Sequence, residues 1–323
     1  MNRIILSAET NPYFNVAAEY QLFLEGNPQT RLFLWQNTPT VVLGRNQNFS
    51  AECDRNVLEA EGILPVRRFS GGGAVFHDLG NVNFTFLDCE ENATPDRYLD
   101  VLRRALGHLK VPCVFSGRND LLVDGKKFSG HAFYADQGRY FYHGTIMVNV
   151  DLDMLTRALR PSFLKLQSKG IQSVRSRVVN LCEIDSSITV ERVKQALMDA
   201  FSEQQDISSD AMVLDRQTLS PSVQEIISSR EWIFGETPDF SLTFSRRLPF
   251  GMVTVSADIA HGHISRIKIH TDGLLVFDWT MCENSLIGEL FDENKIVVQI
   301  ETCYNLHRSS GKHSCFMPGG LEL

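Results

Sequence analysis

Three consecutive glycines, residues 71–73, follow Ser70 and the arginine pair Arg67 and Arg68. Because glycine lacks a side chain and reaches positive φ angles, such a run can bring several backbone N–H groups close to one anion. The two arginines add planar cationic donors that suit a phosphate or a carboxylate. Taken alone, the glycines could equally form a flexible turn. The run matches neither a P-loop nor a GxGxxG that opens a helix, so neither kind of nucleotide site is predicted.

A second cluster lies at residues 116–130 and contains Asp120 and Lys127. A hairpin here could turn a lysine inward, where its ammonium group would neutralise carboxylate and phosphoryl oxygens. Asp120 could then help to hold a hard cation such as Mg²⁺. By itself the segment is more typical of a surface hairpin, because Asp124-Gly125 is a common hairpin turn.

Two further segments carry polar groups of less definite chemistry. His143 has no carboxylate partner or metal-ligand spacing near it in the sequence. A histidine satisfied within the fold is therefore favoured over a substrate ligand. Residues 173–181 contain Arg175 and Arg177 and could be a basic loop facing a ligand or a surface turn.

The elements that must position these residues alternate irregularly along the chain. Since the glycine run falls between two predicted strands, it is expected to form a loop. The irregular order favours an α+β fold with a largely antiparallel sheet over a doubly wound parallel sheet. Periodicity predicts strands at 32–35, 40–44, 74–76, 83–86, 120–123, 127–129 and 140–148, and helices at 15–24, 55–61, 98–109, 152–159 and 190–201.

The pattern changes near residue 240. Residues 252–258 and 264–270 alternate like the strands of a hairpin around Gly262, and two short helices are predicted after them. Compact domains of about 80 residues are common. We therefore predict a larger domain at residues 1–243 and a small α+β domain at residues 244–323.

Composition argues against several classes of protein. The net charge is -8, with no dense run of lysine and arginine, so a nucleic-acid-binding or anionic-membrane surface is not expected. Seven cysteines without a CxxC pair predict reduced thiols rather than disulfides or a zinc site. Neither a signal peptide nor a run of about 18 apolar residues is found. A cytoplasmic protein is expected.

Taken in order, these segments resemble the lipoate-protein ligase family over most of residues 1–240. The glycine block is the most specific of the matching motifs, and the C-terminal segment resembles the accessory domain of the A-type ligases. The matching blocks are Asn15-Val16-Ala17-Ala18-Glu19, Leu34-Trp35, Val42-Leu43-Gly44-Arg45, residues 67–81, Gly117-Arg118-Asn119-Asp120, Lys127-Phe128-Ser129-Gly130, His143-Gly144-Thr145 and Ser173-Val174-Arg175-Ser176-Arg177.

The resemblance implies the fold of biotin and lipoate protein ligases, a mixed and largely antiparallel sheet flanked by helices, which is distantly shared with class II aminoacyl-tRNA synthetases. It implies that the lipoate carboxylate attacks the α-phosphorus of Mg-ATP, which gives lipoyl-AMP and pyrophosphate. A lysine of a lipoyl domain (an E2 subunit of a 2-oxoacid dehydrogenase) or of the glycine-cleavage H protein then attacks the acyl carbon. ATP and Mg²⁺ are the implied cofactors, and lipoate is the substrate.

The resemblance also assigns roles to matching residues. Lys127 is the expected catalytic residue, in contact with both the lipoyl carbonyl and the phosphate. At Tyr20 many relatives carry a second acidic residue, so the acyl-chain wall departs from the family pattern there. ATP and the adenylate are expected at Arg68, Gly73, Ala74, Val75, Phe76, Asp120 and Lys127, Mg²⁺ at Asp120, and lipoate at Val16, Trp35, Ser70, His77 and Lys127.

Three other functions remain open. An octanoyltransferase on the same fold would form a cysteine thioester, but no cysteine lies in the glycine or lysine blocks. A lipoyltransferase would use preformed lipoyl-AMP, whereas the blocks at 117–120 and 127–130 favour a complete ligase. A protein that only binds lipoate or a lipoyl domain is disfavoured, because the candidate catalytic groups are present.

Overall fold

The structure, a computed structural model, describes residues 3–116, 119–159, 177–234, 240, 242–260 and 262–310. Two predicted segments fall partly outside these ranges, namely Gly117 and Arg118 of the lysine cluster and residues 173–176 of the basic loop. None of the described helices is both long and apolar enough to span a membrane.

The central sheet is built from eight strands, which are β1 (Ile4–Ser7), β2 (Arg31–Trp35), β6 (Asn81–Cys89), β7 (Val114–Ser116), β8 (Asp120–Val123), β9 (Lys126–Asp136), β10 (Arg139–Met147) and β11 (Ala211–Leu214). Their order across the sheet is β11-β1-β2-β6-β10-β9-β8-β7. Only β1 pairs in parallel, with β2 and β11, and the other neighbours are antiparallel. This mixed sheet confirms the predicted α+β class.

Helices cover both faces of this sheet. In β2, Leu32 and Leu34 belong to the hydrophobic cluster of the helices at residues 95–108 and 190–205, while Phe33 and Trp35 belong to the cluster of the helix at residues 12–25. A strand that is buried on both faces reads as a continuous apolar run, as β2 does. The helices are α1 (Pro12–Glu25), α2 (Phe49–Glu52), α3 (Arg55–Ala60), α4 (Pro95–His108), α5 (Leu152–Ala158), α6 (Leu181–Ile184), α7 (Val190–Gln205), α8 (Pro221–Ser228), α9 (Arg230–Phe234), α10 (Thr280–Leu286) and α11 (Glu293–Ser310).

Helix α1 begins three residues before the predicted start at residue 15. The Asn11 side chain accepts hydrogen bonds from the N–H groups of Tyr13 and Phe14, and Pro12 occupies the first turn. Asparagine caps helix N-termini well, and proline suits a position whose N–H has no partner inside the helix. The cap fixes the start of the helix that carries Glu19.

A second sheet of three strands carries the glycine run. Its central strand β3 (Thr40–Leu43) pairs in parallel with β4 (Leu64–Arg67) and antiparallel with β5 (Val75–His77). The glycines connect β4 to β5, so the prediction of a loop between strands is confirmed. This loop passes close to the end of β3, since a Cβ added at Gly44 would lie 2.0 Å from the Gly72 carbonyl oxygen.

The C-terminal part of the chain forms its own antiparallel sheet from β12 (Leu242–Leu248), β13 (Gly251–Ala260) and β14 (His263–Thr271). The predicted hairpin around Gly262 is therefore confirmed. Helices α10 and α11 pack on this sheet and share a separate hydrophobic cluster with it. The division of the chain at residues 243 and 244 stays a prediction, and strand β12 begins at Leu242.

Gly144 of β10 leaves no room for a side chain. A Cβ added there would lie 2.6 Å from both His131 Cδ2 and Phe84 Cζ, and 2.8 Å from the Gly130 carbonyl oxygen. Since rings and backbone on several sides would have to move, we expect Gly144→Ala to lower the free energy of unfolding by about 1–3 kcal/mol. Urea denaturation measures this change.

Gly107→Ala is the matched control. Gly107 lies within α4 and has no neighbour within 4 Å of an added Cβ. Alanine is favoured over glycine inside a helix by about 1 kcal/mol, so this variant should be as stable as the parent protein or more stable. Equal losses in both variants, or an unchanged Gly144→Ala, would contradict the packing argument.

Candidate active site

A cavity lies between the central sheet and the glycine loop. Several residues that the sequence analysis did not assign also face it, namely Glu19, Asn83, Asn119, His131, His143 and Thr145. Val16, Ser70, Phe76 and Asp120 were assigned but are not among the lining residues. Of the assigned residues, Trp35, Arg68, Gly73, Ala74, Val75, His77 and Lys127 line the cavity.

Arg68 holds the glycine loop from inside. Its guanidinium donates hydrogen bonds to the carbonyl oxygens of Gly71 and Gly73, at 2.7 and 2.8 Å, and to Val42 O and Ser70 Oγ. These bonds use four of the five donors of an arginine. Burial lowers the pKa of Arg68 to about 10, which leaves the group positively charged at neutral pH. A buried cation with neutral partners makes this wall of the cavity attractive to an anion.

Gly72 requires glycine for two reasons. Its φ angle is +94°, and a Cβ would lie 2.9 Å from Arg68 Nη2. The loop therefore depends on glycine for its backbone conformation and on Arg68 for its shape.

Arg67 points away from the cavity. Its buried guanidinium donates to the carbonyl oxygens of Gly44, Gln47 and Ile233, at 2.9, 2.7 and 2.7 Å. Burial lowers its pKa to about 9. The two neighbouring arginines thus differ in role, since successive residues of a strand face opposite sides. Arg67 fastens helix α9 to the segment after β3, and Arg68 shapes the loop.

The hairpin of β8 and β9 turns Lys127 inward, whereas the segment by itself was more typical of a surface hairpin. Asp124 and Gly125 both have positive φ angles, which is the geometry of a tight type I′ turn. Lys127 Nζ lies 2.7 Å from Asp120 Oδ1. The ammonium group also lies over Gly130, because a Cβ added there would be 2.7 Å from Nζ. Lys127 is partly exposed, so it stands at the mouth of the cavity.

A buried chain of polar groups joins the glycine loop to α1. Ser70 Oγ accepts from Arg68 and lies 2.7 Å from His143 Nε2. His143 Nδ1 lies 2.8 Å from Glu19 Oε1, which also accepts a hydrogen bond from Thr85 Oγ1. Because a carboxylate only accepts, His143 donates a hydrogen bond from Nδ1 to Glu19, and its Nε2 accepts a hydrogen bond from the Ser70 hydroxyl.

This chain of hydrogen bonds changes the interpretation of His143. The sequence argument found no carboxylate near it, but Glu19 lies 124 residues away along the chain. The histidine is satisfied within the fold, as predicted, and it also faces the cavity. Glu19 was missed because it stands in an apolar helical run, and its inclusion in the Asn15-Val16-Ala17-Ala18-Glu19 block was the only available signal.

Two other histidines at the cavity are buried and neutral. His131 contacts Ser129 Oγ at 2.8 Å and Tyr142 Oη at 2.7 Å, and His77 contacts Asn37. Burial, with nearby positive charge, lowers the pKa of each to about 3. Both imidazole rings are therefore uncharged at neutral pH, so general acid catalysis by either of them is not supported.

The remaining assigned residues lie in the structure around the cavity. Val16 is fully buried in the same hydrophobic cluster as Trp35, and Phe76 is buried in the cluster of β3 and α5. Ser70 is buried within the polar chain, and Asp120 reaches the site through Lys127. A side chain that does not face the cavity can act there only through its backbone or through a neighbour.

The described residues offer few side-chain ligands for a metal ion. Among residues 3–116, 119–159 and the other described ranges, no group of three or more His, Cys, Asp or Glu side chains could hold a metal. Asp120 supplies one carboxylate, which is paired with Lys127. Mg²⁺ commonly uses one or two carboxylates together with substrate phosphates. The site therefore suits a metal that arrives with a triphosphate.

The segment that follows the C-terminal sheet touches the glycine loop directly. The Gly72 N–H donates to the Gly273 carbonyl oxygen at 2.8 Å, and Gln47 Nε2 donates to Thr271 O at 2.6 Å. One N–H group of the loop is therefore occupied by the segment after β14 in this structure.

Comparison with known proteins identifies the family. Residues 11–202 match the model of the lipoyl protein ligase A/B catalytic domain, and residues 237–310 match the bacterial lipoate protein ligase C-terminus. The chain is 38% identical over 316 residues to lipoate-protein ligase A of Psychrobacter cryohalolentis, covering 94% of this chain and 93% of that protein.

Solved structures of lipoate ligases have a similar fold. The fold is similar to that of P. falciparum LipL1 in complex with lipoate, at 27% identity and a TM-score of 0.77 over 95% of this chain and 97% of that one. It also resembles in fold a bi-partite lipoate protein ligase of Thermoplasma acidophilum, at 24% identity and a TM-score of 0.63 over 75% and 99%. With matches to both domains and an identity that extends over nearly its whole length, the chain belongs to the lipoate-protein ligase family.

Proposed function

We propose that the chain activates lipoate with ATP to give lipoyl-AMP and pyrophosphate, and then transfers the lipoyl group to a lysine of an acceptor protein. The observation that carries the proposal is the position of Lys127, whose ammonium group stands at the cavity mouth beside Asp120. The proposed acceptors are lipoyl domains of 2-oxoacid dehydrogenases and the glycine-cleavage H protein.

The first step joins two anions, so it needs fixed positive charge. As the lipoate carboxylate attacks the α-phosphorus, negative charge gathers on the carboxylate and phosphoryl oxygens. Lys127, the buried Arg68 guanidinium and the backbone of residues 73–75 line the cavity in which this charge would develop. Preorganised donors of this kind lower a barrier without any proton transfer. The leaving group is pyrophosphate, and no protein nucleophile is required.

The pair formed by Lys127 and Asp120 suggests how the site changes when the nucleotide binds. Lys127 would exchange the Asp120 carboxylate for carboxylate and phosphate oxygens of the substrates. Asp120 would then be free to hold Mg²⁺ that arrives with the triphosphate. Mg²⁺ would neutralise the phosphates. Because both side chains are partly exposed, the exchange takes place in contact with water.

The acyl chain would extend from the mouth towards Trp35. Val42, Val75 and Ala132 also line the cavity and would provide apolar contacts. Each methylene that they bury contributes about 0.8 kcal/mol to binding. Val16 supports this wall from within the cluster that contains Trp35.

In the second step the acceptor amine attacks the acyl carbon, and AMP leaves. We propose that residues 1–243 form the catalytic domain and residues 244–323 an accessory domain that contacts the glycine loop through Gly273. The proposed location is the cytoplasm. The described cysteines, at positions 53, 89, 113, 182, 282 and 303, form no disulfide with one another, which suits a reducing compartment.

An octanoyltransferase on this fold receives no support from the site. Such an enzyme needs an activated cysteine at the acyl group. Within the described residues, no cysteine lines the cavity. The lipoyltransferase alternative differs only in the first step, so the assay below distinguishes it.

The protein incubated with ATP, Mg²⁺, lipoate and an apo lipoyl domain should release pyrophosphate and add the lipoyl mass to the domain. A coupled pyrophosphate assay and intact-protein mass spectrometry measure the two steps separately. Transfer from supplied lipoyl-AMP without pyrophosphate release from ATP would instead establish the lipoyltransferase. Absence of both would refute the proposed function.

Lys127→Ala should lower the rate of pyrophosphate release by about 100-fold or more, because one fixed charge at the developing oxyanion is lost. Lys126→Ala is the matched control, since Lys126 is adjacent but exposed. It should keep the parent rate within about twofold, and circular dichroism should show both variants folded. Parent-like rates for Lys127→Ala would remove Lys127 from the mechanism.

Gly72→Ala should raise the KM for ATP about tenfold or more, since the substitution strains the backbone and displaces Arg68 Nη2 from the loop. Gly138→Ala has a comparable positive φ of +75° in a turn with no neighbour within 4 Å. It therefore matches the backbone strain without touching the cavity, and its KM should stay at the parent value. A raised KM in both variants would point to general destabilisation.

A further inference from the structure

The central sheet ends on one side in β7, two strands away from Lys127. Strand β7 pairs with β8 along Val114–Ser116, and no other strand of the described residues pairs with its outer edge. An edge strand presents unpaired N–H and C=O groups, which proteins commonly protect with lysine or proline. The three residues of β7 include neither. The backbone of this edge is therefore suited to pairing with another chain.

Two apolar side chains of β7 are exposed to solvent. Val114 is 67% exposed, and Phe115 is 42% exposed. The Phe115 ring also stacks on that of His131, a residue of the cavity, with 6.2 Å between the ring centres. Single exposed apolar residues are common on protein surfaces. The argument therefore depends on where Val114 stands and not on its exposure alone.

The strand register places Val114 on the face of the sheet that carries Lys127. Val114 lies opposite Leu122 of β8, and Leu122 lies opposite Lys127 of β9. Side chains of directly opposed residues stand on the same face. Asp120, two residues before Leu122 on β8, shares that face and contacts Lys127. Leu122 and Val114 thus form an apolar ledge that leads from the mouth of the cavity to the free edge of β7.

The opposite wall of the cavity is covered in this structure. The Gly72 N–H donates to the Gly273 carbonyl oxygen, and a Cβ added at Gly72 would lie 3.7 Å from Leu274 Cδ2. Val114, by contrast, is open to solvent. Among the described residues, the ledge is therefore the side of the mouth on which a large partner has room.

We propose that the ledge and the outer edge of β7 dock the acceptor protein, with an extended segment of the acceptor paired to β7 and its lysine directed over Asp120 towards the acyl group. This inference rests on the proposed function. Added strands gain affinity from backbone hydrogen bonds and selectivity from alternate side chains. Neighbouring strands are about 4.8 Å apart, so an added strand would lie about 10 Å from β8, and an inward lysine side chain covers much of that distance.

The ledge should act on the second step alone. Neither Val114 nor Leu122 lines the cavity, so neither touches the proposed nucleotide or acyl groups. In the second step the acceptor amine attacks the acyl carbon and AMP leaves. A change at the ledge should therefore weaken acceptor binding and leave the activation of lipoate intact.

Val114→Asp tests the docking surface, because it puts a charge on the ledge at a mostly exposed position. The KM for an apo lipoyl domain should rise at least about tenfold. Hydroxylamine, which traps lipoyl-AMP as the hydroxamate, measures the first step without an acceptor, and this rate should stay within about twofold of the parent rate. An unchanged KM in the folded variant would overturn the proposal.

Val213→Asp is the matched control. Val213 is 60% exposed and lies on β11, the opposite edge strand of the same sheet. The same substitution on an edge strand has a similar effect on strand stability, so circular dichroism and thermal unfolding should give similar results for the two variants. The KM of Val213→Asp for the lipoyl domain should stay within about twofold of the parent value. An equal rise in both variants would overturn docking at β7.

The hydroxylamine assay separates this inference from the proposed function. If the parent protein forms hydroxamate and Val114→Asp modifies the lipoyl domain as well as the parent does, the function stands and the docking surface is wrong. If the parent forms no hydroxamate, activation fails, and transfer from supplied lipoyl-AMP still measures the effect of Val114→Asp on acceptor binding. If neither activation nor transfer occurs, both proposals fail.

Discussion

A buried chain of hydrogen bonds from Arg68 through Ser70 and His143 to Glu19 links the parts of this protein that make its site. It ties the glycine loop of the small sheet to strand β10 of the central sheet and to helix α1. Every member is buried, so a break would leave unpaired polar groups in a region of low dielectric. The loop, the sheet and the helix are therefore held in one arrangement.

This constraint explains the division of labour around the cavity. Arg68 donates most of its hydrogen bonds to backbone carbonyl oxygens, so it provides a fixed positive charge and does not move to bind a ligand. Lys127 is the group that can move, because it is partly exposed and held by a single carboxylate. A rigid cationic wall and an adjustable ammonium group together suit a reaction between two anions.

Much of the site could be predicted from local pattern. The glycine run and the Asp124-Gly125 turn depend on φ angles and hairpin geometry, which short segments encode. The role of Lys127 was expected only from the family resemblance, because the hairpin pattern alone favoured a surface position. Strand β9 was predicted only at residues 127–129, but it extends over Lys126–Asp136. Gly130 and His131 interrupt its apolar pattern, since Gly130 makes room for Lys127 and His131 faces the cavity.

The sequence by itself determined the α+β class, the loop position of the glycines and the family. Tertiary structure decided which of two adjacent arginines faces the cavity and which carboxylate partners His143. It also showed that Glu19 and His77 meet in one cavity. The physical reason is that φ angles and periodicity are local properties, whereas hydrogen-bond partners 124 residues apart are joined only when two sheets and a helix pack together.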